Sequence, residues 1–246
     1  MKIANGVEAL DVSVNMMGRQ MVIHPTLLWD EDEVILVDTG MPGQLAEIRA
    51  AMEHAGVPFD KLSKVILTHQ DLDHIGGLPA ILKAVDHPVE VLAHQEDKPY
   101  IEGDKPPLKM NPERVAKMLE SVPAEQRQRV QALFGTPITA KVDKTVEDGE
   151  VLPYCGGIMV IFTPGHTPGH ISLYLHESKT LITGDALVAA NGELLGPNPE
   201  VTPDMETALK SLKKFTKYDI ETVICYHGGV YKENANQRLA ALAEGQ

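Results

Sequence analysis

Thr68-His69-Gln70-Asp71-Leu72-Asp73-His74-Ile75-Gly76-Gly77 follows a short apolar run at residues 64–67 and decides how this chain is read. It places four potential metal ligands, His69, Asp71, Asp73 and His74, within six residues. Imidazole and carboxylate are the side chains that hold zinc and similar divalent ions. In an extended segment, side chains two apart share a face, so His69, Asp71 and Asp73 are expected to converge while His74 points elsewhere. That arrangement suits two metal ions better than one. The competing reading is a polar loop that caps a helix, with Asp73 as the cap. It accounts for one such residue but not for four at these spacings.

The same form recurs further on. Thr163-Pro164-Gly165-His166-Thr167-Pro168-Gly169-His170 follows an apolar run at 157–162. Thr183-Gly184-Asp185 follows 180–182, and Tyr226-His227-Gly228-Gly229 follows 222–225. Each is a β-prone run ending in His or Asp with glycine close by, and glycine permits the tight backbone a metal loop needs. One such loop is weak evidence; four in one chain are strong evidence together.

Around these loops the pattern alternates strand and helix. Residues 23–29 and 34–37 read as a hairpin across Asp30-Glu31-Asp32-Glu33. Residues 44–55 have helical spacing, with Leu45, Ile48 and Met52 on one face and Gly56 as the stop. A helix is expected at 78–85, strands at 89–93, 157–162, 171–175, 180–183 and 222–225, and helices at 204–216, capped by Asp204, and 233–243. Between about 95 and 145 the chain carries Pro99, Pro106, Pro107, Pro112, Pro123 and Pro137, with helical patches near 112–121 and 124–134. That composition predicts a helical lid inserted into a single domain spanning 1–246. Met110, Met118, Leu119, Leu133 and Phe134 are its candidate pocket residues, although packing of the lid's helices onto the core is the plainer explanation of any one of them.

Composition narrows the function. Of 246 residues, 43% are hydrophobic and 23% charged, as in ordinary globular chains. Lys+Arg number 22 against 35 Asp+Glu, a formal charge of −13, so the basic footprint of a nucleic-acid binder is missing. No apolar run approaches a membrane span and the first residues lack a secretory h-region, so a cytoplasmic protein is expected. Cys155 and Cys225 form neither a CxxC motif nor a disulfide framework and read as ordinary thiols in a reducing compartment. His24, His54, His87, His94 and His176 have no motif around them and are assigned surface or structural roles.

These residues resemble the metallo-β-lactamase-fold hydrolases, whose pattern is HxHxDH followed by a His, an Asp and a final His. The resemblance spans about residues 20–230 and includes the Asp38-Thr39-Gly40 turn and the TPGHTPGH stretch. It implies a four-layer αββα sandwich with metals at one edge between the two sheets. It also implies that His69, Asp71 and His166 bind one metal, that Asp73, His74 and His227 bind a second, and that Asp185 bridges them, with His170 outside the ligand set. Asp71 departs from the pattern by standing where the second His belongs. Carboxylate oxygen also binds zinc, but it is harder and shifts preference toward iron or manganese, as in the diiron flavoproteins of the same superfamily.

The implied chemistry is hydrolysis of a small ester, lactone or thioester. Two divalent ions, zinc first, lower the pKa of a bridging water so that hydroxide exists near neutral pH. Asp73 is the expected catalytic residue, holding one metal and orienting that hydroxide. Asp185 argues against β-lactam hydrolysis except as a side activity, since true β-lactamases usually lack it. Glyoxalase II thioesterases carry a longer C-terminal part, and acyl-homoserine lactonases carry a Tyr where this chain has Val188. A lactonase-like enzyme would therefore need another hydroxyl, with Tyr100 or Tyr231 as candidates and Tyr100 the preferred substrate contact. An iron-dependent redox or dioxygenase-like activity is the alternative. The expected partners are a small-molecule substrate and, by family habit, a second copy in a homodimer, with no nucleic acid and no membrane.

Overall fold

The computed structural model describes the chain except residues 17–18, 110–115, 117–118, 121, 124–126, 128–137 and 246. In chain order, β1 (Lys2–Ala4) and β2 (Val7–Ala9) precede the hairpin of β3 (Val12–Met16) and β4 (Arg19–Ile23), then β5 (Thr26–Trp29) and β6 (Val34–Val37). Helix α1 (Leu45–His54), β7 (Lys64–Ile66), α2 (Leu72–Ile75), α3 (Leu78–Ala84), β8 (Glu90–His94) and α4 (Lys98–Ile101) follow. The second half holds β9 (Lys144–Val146), β10 (Val151–Leu152), β11 (Ile158–Phe162), β12 (Ile171–Leu175) and β13 (Thr180–Ile182). It ends with β14 (Val188–Ala190), β15 (Glu193–Leu195), α5 (Met205–Leu212), β16 (Thr222–Cys225), β17 (Gly229–Tyr231) and α6 (Ala235–Ala243).

Strands β1-β2-β5-β6-β7-β8-β9 form one sheet and β10-β11-β12-β13-β16-β17 another. The layering follows from strands that are apolar on both faces, as β6 shows. Its Ile35 and Val37 join Ile66 and Leu92 against Val160, Leu173, Ile182 and Ile224 of the second sheet. Its Leu36 points the other way, into a cluster with Ile48 and Met52 of α1 and Leu78 and Ile81 of α3. On the far face of the second sheet, Ile161, Leu181 and Val223 pack on Leu212 of α5 and Leu239 and Leu242 of α6. Helix, sheet, sheet and helix are thus separated by three apolar layers, which is the αββα sandwich expected from the sequence.

Strand direction places the loops. β6, β7, β8 and β9 run parallel, as do β13 and β16. β11 and β13 are both antiparallel to β12 and so run the same way as each other. The segments leaving the C-terminal ends of β6, β7 and β8 therefore share one edge of the first sheet. Those leaving β11, β13 and β16 share one edge of the second, the position where open α/β sheets collect their polar loops.

Several elements differ from the sequence reading. The run at 23–29 is two strands, broken at His24-Pro25, because Pro25 has no N–H for a ladder. The hairpin that follows is present, its turn held by Asp30, whose Oδ1 accepts from Asp32 N and Glu33 N. The helix expected at 204–216 ends at Leu212 and is followed by a separate 3-10 turn at Phe215–Lys217, while Asp204 caps it by accepting from Thr207 N at 3.0 Å. Residues 144–145, read as the end of the insertion, belong to β9, which pairs with β8. Of the helical patches expected near 112–121 and 124–134, only residues 116, 119, 120 and 127 are described, all of them helical, and Met110, Met118, Leu133 and Phe134 lie outside the described residues. Among the described residues no helix is long and apolar enough to cross a membrane. Cys225 is buried and Cys155 half-buried, both as free thiols.

Candidate metal centre

The loop after β7 does not stay extended. Asp71 has extended backbone angles, but helix α2 begins at Leu72. The strand-like spacing predicted that Asp73 would join His69 and Asp71 and that His74 would point away. The helical turn instead presents Asp73 and His74 together, and two groups of potential ligands result. His69, Asp71, His166 and Asp185 form one and Asp73, His74 and His227 the other, the ligand atoms within each lying no more than 4.8 Å apart.

Asp185 stands between the groups. Its Oδ2 is 3.2 Å from His166 Nε2, while its Oδ1 is 3.3 Å from His74 Nε2 and 3.5 Å from His227 Nε2. Within the first group, Asp71 Oδ2 is 3.4 Å from His69 Nε2 and 3.0 Å from His166 Nε2. Within the second, Asp73 Oδ2 is 3.1 Å from His227 Nε2 and 3.7 Å from His74 Nε2.

The imidazoles are aimed by their other nitrogen. His74 Nδ1 donates to Asp38 Oδ2 at 2.8 Å, and His69 Nδ1 lies 3.0 Å from Thr68 Oγ1. His166 Nδ1 lies 3.3 Å from Thr202 Oγ1. Holding Nδ1 leaves Nε2 facing inward, the usual way a protein orients a metal-binding histidine. Asp38 in turn accepts from Thr68 N at 2.8 Å and from Thr68 Oγ1 at 2.7 Å. Thr39 N and Oγ1 each donate to His74 O at 2.7 Å, and a Cβ on Gly77 would sit 2.0 Å from Thr39 O, so only glycine lets these two segments meet. His170 is buried outside both groups, with Nε2 accepting from Asp185 N at 3.0 Å. Burial pushes its pKa down to about 3, so it stays neutral and acts as an acceptor.

The electrostatics call for cations. Burial alone would raise the Asp185 carboxyl, but His227, His74 and His166 overturn that and hold it well below the usual carboxylate range. Asp71 is likewise held low against burial by His69, His166 and Lys109. Burial opposes charging His227, yet Asp185 and Asp73 lift it to about 10. His74 is lifted in the same way by Asp38, Asp185 and Asp73. In contrast, burial and the neighbouring His74 keep His69 well below its ordinary value. Among the described residues, His69 Nε2, His74 Nε2 and Asp185 Oδ1 are buried and make no well-formed hydrogen bond, only the long ion-pair contacts given above. Unpartnered buried donors and acceptors are costly, and three converging on one pocket are what a ligand set for divalent ions looks like.

Other residues at the centre carried no signal in the sequence. Lys109 reaches in from the proline-rich segment, with Nζ 2.5 Å from both Asp71 Oδ2 and His166 Nε2. A metal at the first group would claim those same two atoms. Tyr226 stacks on His74 with centroids 3.8 Å apart, and its hydroxyl donates to Asp73 O at 2.5 Å. Asp97 lies under the loops that carry His69 and His166. Tyr100 sits on α4, with Lys105 Nζ 5.2 Å from its ring centre, and no polar contact ties it to either ligand group among the described residues. His94 stacks on Phe162 at 4.2 Å and His24 pairs with Asp11 at 3.0 Å, so both serve structural roles.

The family model for the metallo-beta-lactamase superfamily matches residues 19–227, a span that contains all of these loops. The chain belongs to the metallo-β-lactamase superfamily. It is a metallo-hydrolase of that superfamily, as its relatives' names agree. It is 34% identical over 242 residues to a Bacillus subtilis (strain 168) protein named "Probable metallo-hydrolase YflN", covering 92% of this chain and 84% of that one. A protein named hydroxyacylglutathione hydrolase GloC from Haemophilus influenzae is 28% identical over 197 residues, 76% of each chain. Among solved structures, a metallo-beta-lactamase family protein from Thermus thermophilus superposes with a TM-score of 0.73 at 23% identity, over 99% of this chain and 80% of that one. At that identity the superposition speaks for the fold alone.

Proposed function

We propose that His69, Asp71 and His166 hold one divalent ion, Asp73, His74 and His227 hold a second, and Asp185 spans the two. Zinc is the ion we favour, and the reaction is hydrolysis of a small ester, lactone or thioester. The observation that carries this reading is Asp185, whose two oxygens face different histidine groups while, among the described residues, three buried donor and acceptor atoms there make no well-formed hydrogen bond. When bound, such ions supply a water of lowered pKa and a Lewis acid for a carbonyl oxygen. The chain's own part would be to aim the imidazoles through their Nδ1 partners, to keep three carboxylates facing the ions and, through Asp73, to orient the attacking water. The absence of a GxSxG motif fits a reaction that needs no side-chain nucleophile. Tyr100 is our candidate substrate contact. The name of the Haemophilus relative supports putting a thioester first among the substrates to be tried.

The test is elemental analysis of protein purified without chelator, followed by an ester, lactone and thioester panel. Two zinc per chain and turnover that vanishes in Asp185→Ala, with an unchanged circular dichroism spectrum, are the expected results. Full turnover in metal-depleted protein would overturn the reading. Asp71, a hard carboxylate where the superfamily pattern has histidine, favours iron as the second reading. One or two iron per chain with oxygen uptake would establish it.

A further inference from the structure

One buried carboxylate joins segments that no strand pairing connects. Asp97 follows β8 at the head of α4 and is fully buried. Its Oδ2 accepts from Gln70 N at 3.0 Å and from Thr167 Oγ1 at 2.7 Å, and its Oδ1 accepts from Gly169 N at 2.7 Å. Gln70 lies between His69 and Asp71, in the loop that leaves the first sheet. Thr167 and Gly169 flank the turn after His166, in the loop that leaves the second sheet. The approach is tight: a Cβ on Gly169 would lie 2.4 Å from Asp97 N. The partners of the Asp97 carboxylate are chain neighbours of the first-group ligands His69, Asp71 and His166, and none of its hydrogen bonds reaches Asp73, His74 or His227.

Sheet packing does not call for this carboxylate. The apolar layer between the sheets is continuous without it. Burying a carboxylate is costly, and burial raises Asp97 to about 6 despite its three donors. A costly carboxylate whose hydrogen bonds, among the described residues, all run to the two ligand loops is explained by those loops.

We infer that Asp97 is a positioning residue that sets the distance between the His69–Asp71 loop and His166, and through it the geometry of the first ligand group alone. The inference rests on reading that group as a metal site. Cobalt(II) separates the two. Chelated protein is titrated with cobalt and followed by its visible ligand-field bands and by calorimetry, in two backgrounds. His227→Ala weakens the second group, and Asp71→Ala weakens the first. Adding Asp97→Asn should weaken cobalt binding about 10- to 100-fold in the His227→Ala background, the size typical of a lost outer partner. It should also shift the bands there, and change affinity less than about twofold in the Asp71→Ala background. Equal weakening in both backgrounds, or none in the first, would overturn the inference. A chain whose unsubstituted form takes up no cobalt would overturn the metal reading, and this inference with it. If Asp97→Asn does not fold, Thr167→Val removes a single donor and must show the same selectivity at a few-fold.

Discussion

Asp38 shows how one residue couples backbone to chemistry. It is buried with φ at +62°, a conformation that costs a non-glycine residue about 1–3 kcal/mol. That backbone aims its carboxylate at Thr68 and at His74 Nδ1, and so fixes which His74 nitrogen faces the centre. Asp38→Asn keeps the shape and tolerates the left-handed backbone but loses the ion pair. We expect metal affinity or turnover to fall about 10- to 100-fold with a nearly unchanged melting temperature, read by metal retention against a chelator and by thermal melts. Lys109 is the opposite case, a cation holding the two atoms a metal at the first group needs. A charge-assisted hydrogen bond is worth about 1.5–3 kcal/mol, and 1.4 kcal/mol is about tenfold in affinity. Lys109→Met should therefore tighten binding of the first-group ion by about tenfold or more in a competitive chelator titration. Unchanged or weaker binding would show that Lys109 does not compete.

At the scale of elements, β6 is buried on both faces and stands between helix and sheet. Ile35 belongs to the layer between the sheets and is fully buried. Ile35→Ala leaves a cavity there and should cost about 2–5 kcal/mol in urea unfolding, with an unchanged denaturant slope. β6 is also the strand whose end becomes the Asp38 turn. The same variant should therefore lose metal affinity if slack in this layer reaches the ligand loops, and an intact affinity would show that the loops are braced locally by Thr68 and Thr39. The short helix α2 matters in the same way, because one helical turn beginning at Leu72 sends Asp73 and His74 to the second group and leaves Asp71 in the first.

For the whole molecule, the two sheets meet at a centre that gathers carboxylates and protonated imidazoles. His227 has a folded-state pKa of about 10 against an ordinary 6.5, because Asp185 and Asp73 favour its charged form. A value raised on folding contributes stability that is fully present below about pH 6.5 and is lost as pH rises through about 10. Chelator-treated protein should accordingly melt at a lower temperature at pH 10 than at pH 6. Metal-loaded protein should melt higher than chelated protein at pH 8, since binding to the folded state alone is stabilising, and should lose that advantage in acid as protons displace the ion from histidine. Melting curves with and without chelator at pH 5, 8 and 10 check both trends.

Much of this was legible in the residues themselves. Alternation of short apolar runs with helical spacing pointed to an order of strands and helices, because a strand buried on both faces must be apolar at every position, as β6 is, while the four layers were implied by the resemblance of the ligand motifs. The four strand-end loops identified His69, Asp71, Asp73, His74, His166, Asp185 and His227 as candidates, because clustered imidazoles and carboxylates have few other uses. Which of them face one another was decided by tertiary structure. Spacing alone put Asp73 with Asp71, and it was the onset of α2, set by packing of Ile75 and Leu78 into the core, that turned it away. Asp97, Lys109, Thr68 and Thr202 left no trace in the pattern. Each is an ordinary polar residue in its own segment and gains its role only where the fold brings separate loops within hydrogen-bonding distance.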